Sequence, residues 1–425
     1  MARFIIRGGR RISGRHRALG NKNAALPMLV ASLLTDEPVT LTNLPRIKDV
    51  HTTLEMLSEL GVTVSLRGHT VTLQANRVRK RRVSAELCSR VRSAILLSGP
   101  MAARFGWVQL HPPGGDLIGR RPIDTHIRAL EALGIKVDDR GSYRFECKKL
   151  RGADILLEEA SVTATENVVM AAVLAEGRTT IFNAACEPHV QDLCNMLNSM
   201  GAQITGVGTN LIAVEGVTTL GGGRFEIPAD HIESASFMAA ATLTGGELTI
   251  ERAPTSQFEI ISRPLEKIGV NWSARDGQLH VPASQPLAVR NDYGAAIPRI
   301  EDGTWPSFPS DLMSVALVMA TQAEGTVLFF EKMFESRLYF VDRLISMGAR
   351  IVQCDPHRVI VSGPAPLRGT HLASPDIRAG MALILAALCA KGESVIDNVD
   401  AVDRGYENIE KKLRALGADI ERKND

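Results

Sequence analysis

With 425 residues, 49 Lys and Arg against 47 Asp and Glu, and a net charge of +2, the chain is long enough for two or three compact units that each bury a core, and it needs no disulfide scaffold. Its six cysteines, Cys88, Cys147, Cys186, Cys194, Cys354 and Cys389, form no C-x-x-C pair and have no histidine partner at zinc-ligand spacing, so no metal framework is expected and reduced, buried thiols are the better reading. Phe4, Ile5 and Ile6 are too short an apolar run for a signal peptide, and Ala379 to Ala390 is too short to cross a bilayer; a cytoplasmic protein with no membrane partner is expected.

In chain order, the first 22 residues carry seven Arg or Lys and no acid, a local excess of positive charge that suits a small, highly anionic substrate. An apolar segment and strand follow in SLLTDEPVTLTNLP, then an amphipathic helix, a glycine and a strand in LSELGVTVS. RVRKRR at Arg77 to Arg82 reads as a solvated face. It has no interleaved aromatics for base stacking and no helix-turn-helix, zinc-finger or RNP signature, so no nucleic-acid partner is expected. The two-part pattern then recurs as MAARFGWVQL with LEALGIKVD, VLAEGRTTIF with LNSMGAQIT, and ATLTGGELTI with LEKIGVNWS. Its last copies are ATQAEGTVLFF with LISMGARIV and ALCAKGESVI with LRALGADIE.

The repeat glycines are Gly61, Gly134, Gly201, Gly269, Gly348 and Gly417, spaced by 73, 67, 68, 79 and 69 residues. Glycine ends a helix at little cost because it accepts the left-handed conformation, and the β-branched residues after it favour a strand. Each unit reads helix, strand, helix, strand, strand. The first helix of each pair, such as Ala379 to Ala390, is apolar nearly all round and belongs inside, shielded by sheets. A period of about seventy residues exceeds that of the common solenoids, and six such units also suit two three-fold globular domains.

Several longer strings add a resemblance: GNKNAALPMLVASLL from Gly20, PPGGDLIGRRPIDTH from Pro112, PSFPSDL from Pro306, FESRL from Phe334, SPDIRAG from Ser374 and DRGYENIEKKLRALGA from Asp403. Together they resemble the enolpyruvyl transferases, and within them the UDP-N-acetylglucosamine 1-carboxyvinyltransferase family, along nearly the whole chain. The resemblance implies an α/β fold of two inside-out barrel domains, each of three β-α-β-α-β-β repeats with the helices inside. It implies one domain over 21–229 that carries the Asp116 loop, another over 1–20 and 230–425, and an active site in the cleft between them. The substrates it implies are phosphoenolpyruvate and a uridine nucleotide; no residue set suggests a metal or organic cofactor.

Phosphoenolpyruvate carries a phosphate and a carboxylate in one small volume, so its site needs several fixed cations. By the resemblance these are Lys22, Arg92, Arg121, Arg337, Arg378 and Arg404, with Lys22 and Arg404 also counted as catalytic. Addition of a sugar hydroxyl to C2, protonation of C3 and loss of phosphate require a base and an acid. Asp311 matches the carboxylate on the sugar hydroxyl, with a helix N-cap as the competing role. Asp116 stands where many relatives have a cysteine that the epoxide fosfomycin alkylates, and it matches the proton donor. Arg121, Pro122, Ile123 and Asp124 match the uracil-side segment, and Asn23 a sugar contact. Ser161, Val162 and Thr163 lie at the diphosphate site at a helix start, where Ser161 also reads as a plain N-cap.

Three positions depart from the pattern: Thr163 replaces a glycine, while Cys186 and His231 replace arginines. They leave the enolpyruvyl machinery intact and bear on the acceptor. UDP-N-acetylglucosamine, another uridine nucleotide such as UMP, and a catalytically silent regulatory paralogue are the three readings; retention of Lys22, Asp311, Arg121 and Arg404 together argues against the last.

Overall fold

In the computed structural model, which describes residues 2–116 and 118–424, the six repeat glycines all take a left-handed φ: 103° at Gly61, 94° at Gly134, 105° at Gly201, 86° at Gly269, 102° at Gly348 and 107° at Gly417. Each ends an amphipathic helix and turns the chain into a hairpin, the conformation that a side chain would oppose.

Among the described residues there are six sheets that share one strand order. The sheet of Asp154–Leu156, Arg178–Phe182, Gln203–Thr205 and Leu211–Glu215 is typical. Arg178–Phe182 runs parallel to Asp154–Leu156 and antiparallel to Leu211–Glu215, which pairs in turn with Gln203–Thr205. Helix Val162–Ala172 links the parallel pair, and helix Pro188–Ser199 leads into the hairpin, so the unit is β-α-β-α-β-β. Three of its kind are completed from far along the chain. Ala2–Arg7 is the fourth strand of the sheet containing Glu393–Asp397 and Asp419–Asn424, and Gly14–Arg17 is the parallel first strand beside Leu248–Glu251. Gly223–Glu226 plays that part for Val39–Thr42. In the sheet of Trp107–Leu110 the first strand shrinks to one bridge, Arg82 to Gln109, which puts the basic run on a sheet edge with Arg77, Arg79, Lys80 and Arg82 exposed.

The chain divides into two compact units. The first comprises Gly20–Gly115 and Arg121–Pro228; the second comprises Met1–Leu19, Asp116–Arg120 and Ala229–Asp425. Residues 116–120 thus group with the second unit although the chain on either side belongs to the first. In the second unit, helices His231–Thr244, Ser310–Thr321 and Ile377–Cys389 pack on one another, and almost every side chain on them is buried. Gly380 permits the closest approach: a Cβ there would stand 2.3 Å from Ser374 Oγ and 2.6 Å from Val402 Cγ2. The first unit has its own core, in which Ser98–Phe105 packs on Val162–Ala172. The expectation of buried thiols holds for Cys88, Cys147 and Cys194. Cys186 and Cys389 are partly exposed and Cys354 is exposed, because it lies just past an edge strand.

Candidate active site

In the second unit, Asp311 is the second residue of helix Ser310–Thr321 and does not cap it; Pro309 occupies the cap and makes no side-chain bond there. The carboxylate instead accepts from two arginines, Arg337 Nη2 to Oδ1 at 3.1 Å and Arg378 Nη2 to Oδ2 at 2.6 Å. Both guanidinium groups are nearly sealed from solvent, with side-chain exposures of 3% and 5%, while Asp311 keeps 26%. Burial pulls the Arg378 pKa down, but the Asp311 carboxylate, with Asp230, outweighs it and holds the group firmly cationic. Asp376 fixes the backbone under Arg378, accepting from the amides of Arg378 and Ala379 at 2.8 and 3.0 Å.

His231 starts the neighbouring helix, behind the Asp230 N-cap, and lies within the fields of Asp311 and Arg378. Burial lowers its pKa despite the carboxylates beside it, so a neutral imidazole stands where the family pattern has a permanent cation. Asp116 Oδ1 accepts from Arg404 Nη1 at 2.6 Å, the two side chains being 16% and 21% exposed. The same loop is held by Ser336 N donating to Ile118 O at 3.0 Å and Arg120 N donating to the Glu335 carboxylate at 3.2 Å.

In the first unit, Lys22 begins helix Lys22–Ala31, whose N-cap Asn21 accepts from Ala24 N. The Lys22 ammonium lies 2.8 Å from Asp49 Oδ2, both side chains at or below 10% exposure; Asn23, next in the helix, is half-buried. Arg92 Nη2 donates to Pro122 O at 3.0 Å, and its pKa is lowered to about 10 by burial and by the neighbouring Arg121 charge. Gly115 brings the backbone against both arginines: a Cβ there would stand 3.1 Å from Arg92 Cβ and 3.5 Å from Arg121 Nη1. Ile123 is the N-cap of helix Asp124–Ala132, so Pro122, Ile123 and Asp124 form its opening turn.

Ser161 caps helix Val162–Ala172 through Ala164 N, the plain-cap role, and leaves early backbone N–H groups for an anion. Thr163 Oγ1 lies 3.0 Å from His126 Nε2, and His126 Nδ1 lies 3.2 Å from Asn167 Nδ2. His126 is buried, and burial together with Arg92 lowers its pKa to about 3. These bonds bring the helix starts at 124 and 162 together. Asp49, His126 and Glu335 were not expected from the sequence; His126 and Glu335 lie in strings already singled out, which is the signal that was available, while Asp49 lies outside them. Gln191 Nε2 donates to the Cys186 carbonyl, and burial, with the charge of Glu187 beside it, raises the pKa of the Cys186 thiol.

A family model described as EPSP synthase (3-phosphoshikimate 1-carboxyvinyltransferase) matches residues 6–413. A protein of Bradyrhizobium diazoefficiens named UDP-N-acetylglucosamine 1-carboxyvinyltransferase is 51% identical over 420 residues, 99% of this chain and 97% of its own. One of the same name from Borrelia garinii subsp. bavariensis is 50% identical over 423 residues, 99% of each. Among solved structures, the enolpyruvyl transferase NikO from Streptomyces tendae has a TM-score of 0.88 at 22% identity and covers 100% of this chain and 99% of its own, a likeness of fold. With six repeats, the clustered cations and half-identity to relatives from end to end, the chain is an enzyme of the transferase class and belongs to the EPSP synthase family of carboxyvinyl, or enolpyruvyl, transferases.

Proposed function

We propose that this chain transfers the enolpyruvyl group of phosphoenolpyruvate to the 3-hydroxyl of UDP-N-acetylglucosamine with release of phosphate, the committed step toward peptidoglycan precursors. The identity of about one half to enzymes so named supports the acceptor. The observation that carries the chemistry is Asp311, a part-exposed carboxylate whose two oxygens are each anchored by a buried arginine.

In this reading Lys22, Arg92, Arg121, Arg337, Arg378 and Arg404 bind the phosphate and carboxylate of phosphoenolpyruvate. Arg337 Nε, buried and without a hydrogen-bond partner among the described residues, is available to an oxyanion. Asp311 takes the proton of the sugar hydroxyl as its oxygen bonds to C2, and Asp116 gives a proton to C3, making a methyl group and a tetrahedral C2. Loss of one methyl proton and cleavage of the C2–O bond to phosphorus restore the double bond on the transferred group. The nucleotide lies along Asn23, Arg121, Pro122, Ile123 and Asp124, with its diphosphate at Ser161, Val162 and Thr163. The reaction takes place in the cytoplasm.

A second reading, with another uridine nucleotide such as UMP as acceptor, is favoured by His231 and Cys186, since both remove fixed positive charge. Phosphate release and product mass with phosphoenolpyruvate and UDP-N-acetylglucosamine, UMP or shikimate-3-phosphate in turn test the assignment. Release with UDP-N-acetylglucosamine is expected. Release with UMP alone moves the protein to the second reading, and release with shikimate-3-phosphate alone overturns both.

A further inference from the structure

Behind Asp311 lies a group that the reaction just described does not use. Glu331 follows strand Gly325–Phe330 and is fully buried. Its Oε1 accepts from Ser310 Oγ at 3.0 Å, Met333 N at 3.2 Å and Phe334 N at 3.1 Å; Oε2 also lies 3.0 Å from Ser310 Oγ. Ser310 is the residue before Asp311, and Met333 and Phe334 begin the short loop that ends in Arg337. One side chain therefore spans the two segments whose side chains meet in the Asp311 to Arg337 pair.

The partner of Glu331 is a second buried acid. Asp302 is 1% exposed; its Oδ1 accepts from Lys332 N at 2.6 Å, while its Oδ2 is buried with no N–H or hydroxyl donor among the described residues. Two ionised carboxylates do not share a dry pocket, whereas a carboxyl bonded to a carboxylate does. The crowded Oε1 of Glu331 leaves Oε2 as the place for the shared proton, donated to Asp302. The other charged or titratable groups facing the pair are Arg337, the Lys332 and Glu301 ion pair at 3.0 Å, and His357, whose Nδ1 lies 2.7 Å from Glu331 O. Burial, then the hydrogen bond and charge of Asp302, raise the Glu331 pKa to about 9, against the opposing pull of Arg337 and Ser310.

We propose that Glu331, proton-linked to Asp302, is a positioning residue that sets Asp311 against Arg337 and so aligns the base of the reaction. The role rests on the enolpyruvyl-transfer reading but is separable from it by experiment. A misplacement of about 1 Å in such a site costs on the order of 100-fold in rate. Glu331→Gln preserves the shape: its amide oxygen accepts where Oε1 accepts and its NH2 donates to Asp302, with no proton to lose. Glu331→Leu removes every bond.

The experiment compares both variants with the unaltered protein in two ways: kcat and KM for phosphate release from pH 7 to 10, and intrinsic tryptophan emission over the same range. Trp305 lies in the loop between Asp302 and Ser310 and reports on the pair without any turnover. Glu331→Gln is expected to keep kcat within about three-fold, and Glu331→Leu to lose about 100-fold in kcat with a smaller change in KM. The unaltered protein should show a loss of kcat and an emission change as pH rises through about 9, both absent from Glu331→Gln. The proposal is overturned if Glu331→Leu turns over normally, or if Glu331→Gln is as impaired as Glu331→Leu. Should Glu331→Leu not fold, the Gln variant decides: an alkaline transition unchanged from the parent overturns the proposal, and its disappearance supports it. Should no acceptor be turned over, the enolpyruvyl reading fails, and the emission titration still decides whether the pair holds this loop.

Discussion

Replacing Asp311 by Asn removes the proposed base while nearly keeping a shape. The amide oxygen can still accept from one of Arg337 and Arg378, but the NH2 must face the other, so one buried guanidinium loses an acceptor now at 2.6 or 3.1 Å. A lost charge-assisted partner at a buried site costs about 1–3 kcal/mol of stability, softened here because Asp311 keeps 26% exposure. The catalytic loss is the larger effect, since a positioned base contributes roughly 100- to 10,000-fold. Steady-state phosphate release should therefore fall by about 100-fold or more in kcat, with UDP-N-acetylglucosamine affinity by calorimetry unchanged within about ten-fold and a cooperative urea transition at slightly lower midpoint. Turnover near that of the parent would refute the base assignment. A binding loss that accounts for the whole rate loss would make Asp311 a binding group alone.

Fosfomycin should not inactivate the protein: position 116 is Asp, and among the thiols burial raises the pKa of Cys88, Cys147, Cys186, Cys194 and Cys389, leaving little thiolate to open the epoxide. Asp116→Cys should acquire time-dependent inactivation and a covalent adduct by intact mass while retaining turnover, and no adduct on an active variant would show that the loop is misassigned. Acid stability should depend on Glu233, where burial is outweighed by Lys412 at 2.6 Å and His16 at 3.0 Å so that its pKa falls to about 2. Because this pKa is depressed in the folded state, the stabilisation is present above the unfolded value near 4.5 and lost as pH falls toward 2, on the order of 3 kcal/mol in all. Urea midpoints from pH 6 to 2.5 should thus fall more steeply for the parent than for Glu233→Gln, and parallel curves would contradict the assignment.

The repeat was legible because each helix ends in a glycine that the turn requires, and Gly61 through Gly417 carry that signal in local sequence alone. The leading strand of each unit was not. Asp154–Leu156, Arg299–Glu301 and His371–Ala373 are three residues long, too short for alternation to register, and they are strands only because a parallel neighbour pairs with them. The roles of Ala2–Arg7, Gly14–Arg17 and Gly223–Glu226 were hidden for a related reason: their partners lie far away in the chain, and no local pattern reports such pairing. The cations of the site stood out in distinctive strings. So did Asp116 and Asp311, but Asp49, Asp302 and Glu331 did not, since they are ordinary acids until folding buries them, and His126 meets Thr163 and Asn167 across 37 and 41 residues.

The central claim is transfer by addition and elimination, in which C3 of phosphoenolpyruvate becomes a methyl group and then gives up a proton. Turnover of phosphoenolpyruvate and UDP-N-acetylglucosamine in heavy water, followed by mass spectrometry of the nucleotide product, tests it directly. The account predicts an enolpyruvyl nucleotide that carries deuterium on its vinyl carbon, formed together with one phosphate; a product whose vinyl group holds only the original hydrogens, or no nucleotide product at all, would contradict it.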